Sequence, residues 1–145
     1  MDIIKIDQSH WEDLKTIRIE SLRDSPEAFG ATLDEVQGFD DDRWKSILSN
    51  DSNLEFFLAY NNGQPIGMIA FVNALTLASM WVNPAHRMEG IGRKLVSTVQ
   101  SHASSMGHEK IVLKVEAENA QVISFYQKCG FEMVKEPNNE MVWQP

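Results

Sequence analysis

Residues 74 to 105 constrain the fold more than any other stretch, because they read as one strand, one tight turn and one helix. Leu75, Leu77, Met80, Trp81 and Val82 make an apolar run that Asn83-Pro84 stops. Arg87-Met88-Glu89-Gly90-Ile91-Gly92 then leads into Ile91, Leu95, Val99 and Ala103 at four-residue spacing, a stripe of helical period that Gly107 is placed to end. The turn is therefore a helix N-terminus, where the first N–H groups lack intrahelical acceptors and carry the positive end of the macrodipole. Gly90 and Gly92 keep Cβ atoms away, so main-chain amides can approach phosphate oxygens closely. Arg93 and Lys94 put positive charge in a first turn where the dipole alone favours acids, an inversion that makes sense if an anion arrives from outside. Two glycines are equally compatible with nothing more than a tight turn and close packing. Neither familiar nucleotide loop fits: there is no Gly-Lys-Ser/Thr ending, and the third glycine of the dinucleotide fingerprint falls at Leu95.

The remainder of the chain is long enough to bury this unit. With 145 residues, 43% of them hydrophobic, residues 1–145 are expected to form one domain with a full core, needing neither metal nor disulfide. A single cysteine, Cys129, and no apolar leader ahead of a cleavage site point to a reducing, cytoplasmic setting. No apolar run approaches the ~18 residues of a membrane span. A net charge of −8 argues against a nucleic-acid surface and mildly favours cationic small molecules.

Taken in order, Ile3, Ile4 and Ile6 form a first strand, and Ser9 and Glu12 have capping-box spacing ahead of a helix over about 10 to 23. Ser25-Pro26-Glu27 reads as a stop and a new helical start, opening a broken helix or mobile loop; Asp40 caps a helix carrying Trp44, Ile47 and Leu48. Leu54 to Tyr60 and Pro65 to Val72 pair as a hairpin across Asn61-Asn62-Gly63, and the run from Leu75 follows closely enough to be a third antiparallel strand. Beyond the long helix, Ile111 to Val115 alternates as a strand, expected parallel to its predecessor through the crossover helix. Val122, Ile123, Tyr126 and Cys129 stripe another helix that Asn119 caps and Gly130 terminates, with Phe131 folding back. Phe131 to Val134 and Glu140 to Trp143 close the sheet as a hairpin across Pro137-Asn138-Asn139. Helices mixed among strands make an α/β or α+β domain with a mixed sheet.

Asn119 and Tyr126 lie seven residues apart, close to two helical turns, so both can address one ligand from one side of their helix. Read separately, Asn119 is an N-cap and Tyr126 a core aromatic with its hydroxyl at the edge. Together with the glycine turn, the chain resembles the GNAT family, the acetyl-CoA-dependent N-acetyltransferases. Arg87-Met88-Glu89-Gly90-Ile91-Gly92 matches that family's (Gln or Arg)-x-x-Gly-x-(Gly or Ala) pyrophosphate loop. The run from Asn119 to Phe131 is similar to its second motif, an Asn, an aromatic pair ending in Tyr, a Lys and a closing Gly-Phe. Arg18 to Gly30 is similar to the looser N-terminal part of many members.

The resemblance implies a GNAT fold, with six to seven strands, about four helices and a splayed pair of parallel strands. It implies acetyl-CoA as cosubstrate, its pyrophosphate held by amides from Arg87 to Arg93, that is by Arg87, Met88, Glu89, Gly90, Ile91, Gly92 and Arg93. The pantetheine arm would lie along Met80, Trp81 and Val82, Asn119 would bond its amide region, and Tyr126 would sit beside the sulfur. Met88-Glu89 departs from the family, where many members carry Gly and a basic or neutral residue, and Glu89 must point outwards to spare the diphosphate.

On that reading Tyr126 is the general acid for the departing thiolate, and an N–H near Trp81 or Val82 holds the oxyanion, a contact worth ~3 kcal/mol. An alkylamine is only roughly one part in a thousand neutral at pH 7, so either a base removes a proton or the site binds the rare free amine. Glu116, Glu118, Glu35 and His86 are the bases that could act through water, with Glu116 taken as the candidate, although each read alone is a solvated surface group. His10, His102 and His108 lack ligand spacing and no metal is expected; Cys129 reads as a small buried hydrophobe. The acceptor is a small-molecule or peptide amine, with entrance walls from residues 24 to 53 and 136 to 140, whose Asp34, Glu35, Asp40, Asp41 and Asp42 favour basic acceptors. A homodimer that builds part of the pocket is compatible with this. The competing readings are an acyl-CoA-binding regulatory module without turnover and a bare structural or interaction domain.

Overall fold

The computed structural model describes residues 1–26, 31–134 and 139–145. The elements in chain order are β1 (Asp2–Lys5), α1 (Trp11–Asp24), α2 (Leu33–Gln37), α3 (Asp41–Ile47), β2 (Leu54–Asn61), β3 (Gln64–Val72), β4 (Thr76–Val82), α4 (Ile91–Ser105), β5 (Ile111–Lys114), α5 (Ala120–Lys128), β6 (Glu132–Met133) and β7 (Glu140–Trp143).

Among the described residues, seven strands form one mixed sheet in the order β1-β2-β3-β4-β5-β7-β6. Asn62 and Gly63 both adopt left-handed backbone (φ 52 and 77), the geometry a two-residue hairpin between β2 and β3 demands. Among the described residues the β4–β5 pair is the one parallel neighbour relationship, and it is nearly unzipped: its register is a single pair, Thr76 with Val112, with Val112 N–H donating to Leu75 carbonyl at 2.9 Å. Beyond that point the two strands diverge, leaving the splay the family resemblance implied.

Each face of the sheet carries its own core. On one side Ile91, Leu95, Val96 and Val99 of α4 pack with Phe57, Ile69, Phe71, Leu77, Ile111 and Leu113, and α5 leans on this cluster through Val122, Ile123 and Tyr126. On the other, Leu14, Ile17 and Leu22 of α1 pack with Val36, Trp44, Leu58, Met68 and Trp81. Successive residues of a strand face opposite ways, so Leu77 and Trp81 end up in different cores only because β4 contains an extra residue. Met68 pairs with Trp81 and Ala70 with Ala78, so Ser79 and Met80 together oppose Ile69. Ser79 takes up the extra residue at φ 55.

Some local expectations change. The box expected from Ser9 and Glu12 is instead built by Asp7, whose carboxylate accepts the Ser9 N–H at 2.9 Å while its own N–H donates to His10 Nδ1 at 3.2 Å. A 3-10 turn over Gln8–His10 precedes α1, which places Ser9 inside the turn and out of cap position. The segment expected to be a broken helix or loop contains the five-residue α2, capped by the Thr32 side chain on Glu35 N–H at 3.2 Å. The helical start expected at Glu27 and the turn at Pro137-Asn138 lie outside the described residues. The acidic run also acquires a local explanation: Asp34 and Glu35 occupy the first turn of α2, Asp41 and Asp42 the first turn of α3, and Asp40 caps Arg43 N–H at 2.8 Å. Carboxylates there complement the helix dipole, so they need no cationic acceptor to account for them.

Candidate active site

The splay opens a cleft with two lobes that meet at Met80 and Phe125. The first, about 560 Å³, is lined by Ser25, Met80, Trp81, Val82, His86, Arg87, Met88, Gly90, Ile91, Gly92, Arg93 and Phe125. The second, about 410 Å³, lies between β4, β5 and α5 and is lined by Leu77, Ala78, Ser79, Met80, Leu113, Lys114, Gln121, Val122, Phe125 and Tyr126. The cleft therefore runs from the glycine turn along β4 to the phenol.

At the first lobe the backbone is shaped for donors. Gly90 is the N-cap of α4 at φ 78, and among the described residues no side chain caps this end, so the first-turn N–H groups are open to an acceptor from outside the helix. A Cβ at Gly90 would meet nothing within 4 Å, so what this position requires is left-handed backbone. Gly92 differs: a Cβ there would stand 3.3 Å from Phe125 Cζ. Met88 is also left-handed (φ 68) with its side chain fully exposed. Glu89 is the one loop residue outside the lobe lining; its carboxylate turns to His86 Nδ1 at 3.5 Å, outwards as the sequence required.

Arg87 is held inwards. Its Nε donates to the Val82 carbonyl at 3.0 Å and its Nη2 to Asp24 Oδ2 at 2.8 Å. The same oxygen accepts the Trp81 indole N–H at 2.9 Å and the Ser25 hydroxyl at 2.8 Å. These donors, Trp81 first, then Ser25, then Arg87, hold the Asp24 carboxyl below the usual carboxylate range. A carboxylate so stabilised is a poor proton acceptor.

At the second lobe Tyr126 packs edge-on between Phe125 (5.0 Å between centroids) and Phe131 (5.7 Å). Burial first, and the neighbouring Cys129 second, push its phenol up to about 12. Burial likewise pushes the Cys129 thiol up, with Arg93 pulling the other way, which suits an inert side chain. The bulge at Ser79 turns the middle of β4 towards the gap, and Arg18 Nη1 reaches Ser79 Oγ at 3.4 Å from the α1 side.

Asn119 caps α5 through Val122 N–H at 3.2 Å and is not among the lining residues. Glu116 is exposed beyond the end of β5, its carbonyl accepting Asn119 N–H, and is not brought to the cleft. Among the described residues, no carboxylate lines either lobe. Three contributors were not singled out by the sequence: Phe125, visible there only as half of an aromatic pair, Asp24, visible only as part of the stretch from Arg18 to Gly30, and Ser79, which carried no signal.

A family model described as Acetyltransferase (GNAT) family matches residues 11–131. The chain belongs to the GNAT acetyltransferase family. N-acetyltransferase family 8 member 3 of Mus musculus is 30% identical over 101 residues, which cover 63% of this chain and 44% of that protein. The chain thus spans less than half the length of this relative. Peptidyl-lysine N-acetyltransferase YiaC of Escherichia coli (strain K12) is 29% identical over 93 residues, 64% of this chain and 57% of that one. The structure of yncA, a putative acetyltransferase from Salmonella typhimurium with acetyl-CoA, superposes with a TM-score of 0.74 at 22% identity, covering 99% and 93% of the two chains. This GNAT chain has, among its described residues, no helix long and apolar enough to cross a membrane.

Proposed function

We propose that this GNAT chain transfers an acetyl group from acetyl-CoA directly to an amine. The observation that carries the reading is the continuity of the cleft: Met80 and Phe125 line both lobes, joining the uncapped start of α4 to Tyr126 along one edge of β4. The residues fit the cosubstrate. Uncapped amides with Arg93 behind them suit a diphosphate. The β4 edge that has lost its parallel partner beyond Thr76 suits an extended amide-bearing arm, as an added strand would.

In the reaction, the nitrogen of a neutral amine attacks the thioester carbonyl, the oxygen takes up negative charge, and the carbon–sulfur bond then breaks. Main-chain N–H groups near the Ser79 bulge and Trp81 stabilise that charge. Tyr126, kept protonated by its surroundings, gives its proton to the leaving sulfur and recovers one from the acceptor nitrogen through solvent. Acceptor and thioester held side by side supply the orientation term. The reacting species is the acceptor's free amine and the acceptor class is a small-molecule or peptide amine; of the bases expected from the sequence, His86 lines the first lobe and Glu116, Glu118 and Glu35 line neither.

Mixing the protein with acetyl-CoA and a panel of amines, with free thiol as the readout, tests this. Acetylated product with stoichiometric thiol release is expected. CoA binding without thiol release across the panel would leave an acyl-CoA-binding module, and no CoA binding would remove the reading altogether.

A further inference from the structure

Asp24 is the last residue of α1, where the helix dipole disfavours a carboxylate. Its surroundings explain the placement. One oxygen, Oδ2, gathers a hydroxyl from Ser25, an indole N–H from Trp81, 57 positions away, and a guanidinium N–H from Arg87, 63 positions away. All three donors line the first lobe of the cleft. Trp81 is only 5% exposed, and its indole N–H is satisfied by this acceptor at 2.9 Å. Arg87 in turn fastens the Val82 carbonyl, so the end of β4, the start of the glycine loop and the last turn of α1 are tied at a single atom.

We infer that Asp24 is a positioning residue for the cosubstrate: through Trp81 and Arg87 it fixes the end of β4 and the loop in the geometry that receives the diphosphate. The inference rests on the acetyl-CoA reading above. Arg87 then acts as a strut within the protein, and the positive charge that meets the diphosphate comes from the α4 amides and Arg93. Two effects oppose each other when the Asp24 charge is removed: loss of the tie weakens binding, while loss of a nearby negative charge strengthens it. The tie prevails because both side chains of the Asp24–Arg87 pair are partly exposed, 48% for Arg87 and 29% for Asp24, so solvent screens the change in charge while the loss of the hydrogen bonds is felt in full.

The test is a double-mutant cycle with Asp24→Asn, Arg87→Gln and the pair combined, in the full chain, with CoA affinity measured by titration calorimetry and steady-state kinetics run on a responsive amine. Each single variant is expected to weaken CoA binding about tenfold and the combined variant no more than the poorer single, since both remove one tie. KM for acetyl-CoA should rise by a larger factor than kcat at saturation falls, a split that general loss of structure would not produce. Asp24→Asn keeps an oxygen for the Trp81 indole while removing the charge that holds Arg87, so the variant is expected to fold and still lose the ion pair. Unchanged or tighter CoA binding in Asp24→Asn, or additive losses in the combined variant, would overturn the inference. A wild-type chain that binds no CoA would instead overturn the acetyltransferase reading on which it rests.

Discussion

The Phe125 ring lies against the backbone of Gly92, so closely that a Cβ built on Gly92 would come within 3.3 Å of Cζ and 3.6 Å of Cε1. This contact joins the first turn of α4 to α5 at the waist of the cleft. The ring borders open space on both sides and can yield by a few tenths of an ångström. Gly92→Ala is therefore expected to fold with unchanged or slightly higher stability, alanine being the better helix former by up to ~1 kcal/mol, and to lose only a few-fold in CoA affinity. Gly92→Val is expected to push the ring into the waist and weaken CoA binding more than about tenfold. Thermal melts and calorimetry on both variants check this, and equal CoA affinity in Gly92→Val would show that the waist is not on the cosubstrate's path.

Met88 holds left-handed backbone at φ 68 with its side chain in solvent. A non-glycine residue there bears a steric penalty of ~1–2 kcal/mol, partly offset because glycine loses more freedom on folding. Met88→Gly is expected to raise stability by up to about 1 kcal/mol, and Met88→Val to lower it by at least as much, with denaturant unfolding as the measurement. The reverse order would mean that the loop relaxes out of this geometry in solution.

How much could be read from the sequence follows from the range of each interaction. Asn62-Gly63, the Asn119 cap, and Gly130 at φ 96 with Phe131 N–H returning to the Tyr126 carbonyl at 3.0 Å all involve neighbours in the chain, and residue type alone announces them. The glycine loop was legible for the same reason, although the two glycines turn out to serve different needs, conformation at Gly90 and space at Gly92. Asp24 joins groups 57 and 63 positions away, and Ser79 bulges against a strand whose register no local pattern encodes. The acidic run stays ambiguous in the sequence because residue type does not distinguish a helix-start carboxylate from one that faces a ligand; the capping bond of Asp40 shows the first role there.

Ser79 carries the bulge at φ 55, and a β-branched residue tolerates that conformation poorly. Ser79→Gly should keep the fold and much of the activity, losing only the contact with Arg18. Ser79→Val should cost about 1–3 kcal/mol of stability and a larger share of turnover than of CoA affinity, because it re-aims the amides proposed to hold the oxyanion. Turnover in Ser79→Val matching wild type would remove the bulge from the oxyanion role.

Tyr126 offers a titration as well as a rate. Its phenol is raised to about 12, chiefly by burial, above the ordinary value of ~10. Between those values the folded chain keeps a proton that the unfolded chain has lost. The stability this contributes is thus complete below about pH 10 and is lost as pH climbs through about 12. Tyr60, the other of two tyrosines, is also raised, by burial and then by Asp13, whose Oδ2 accepts its hydroxyl at 2.7 Å. Ultraviolet titration should accordingly show almost no phenolate at pH 10, and Tyr126→Phe should remove the earlier of two late steps. The same variant is expected to lower kcat about a hundredfold with CoA affinity within twofold, the share that a positioned general acid commonly contributes. A phenolate step at pH 10 that vanishes in Tyr126→Phe would contradict the burial, and unchanged kcat would remove Tyr126 from the acid role while leaving the cleft as a cosubstrate site.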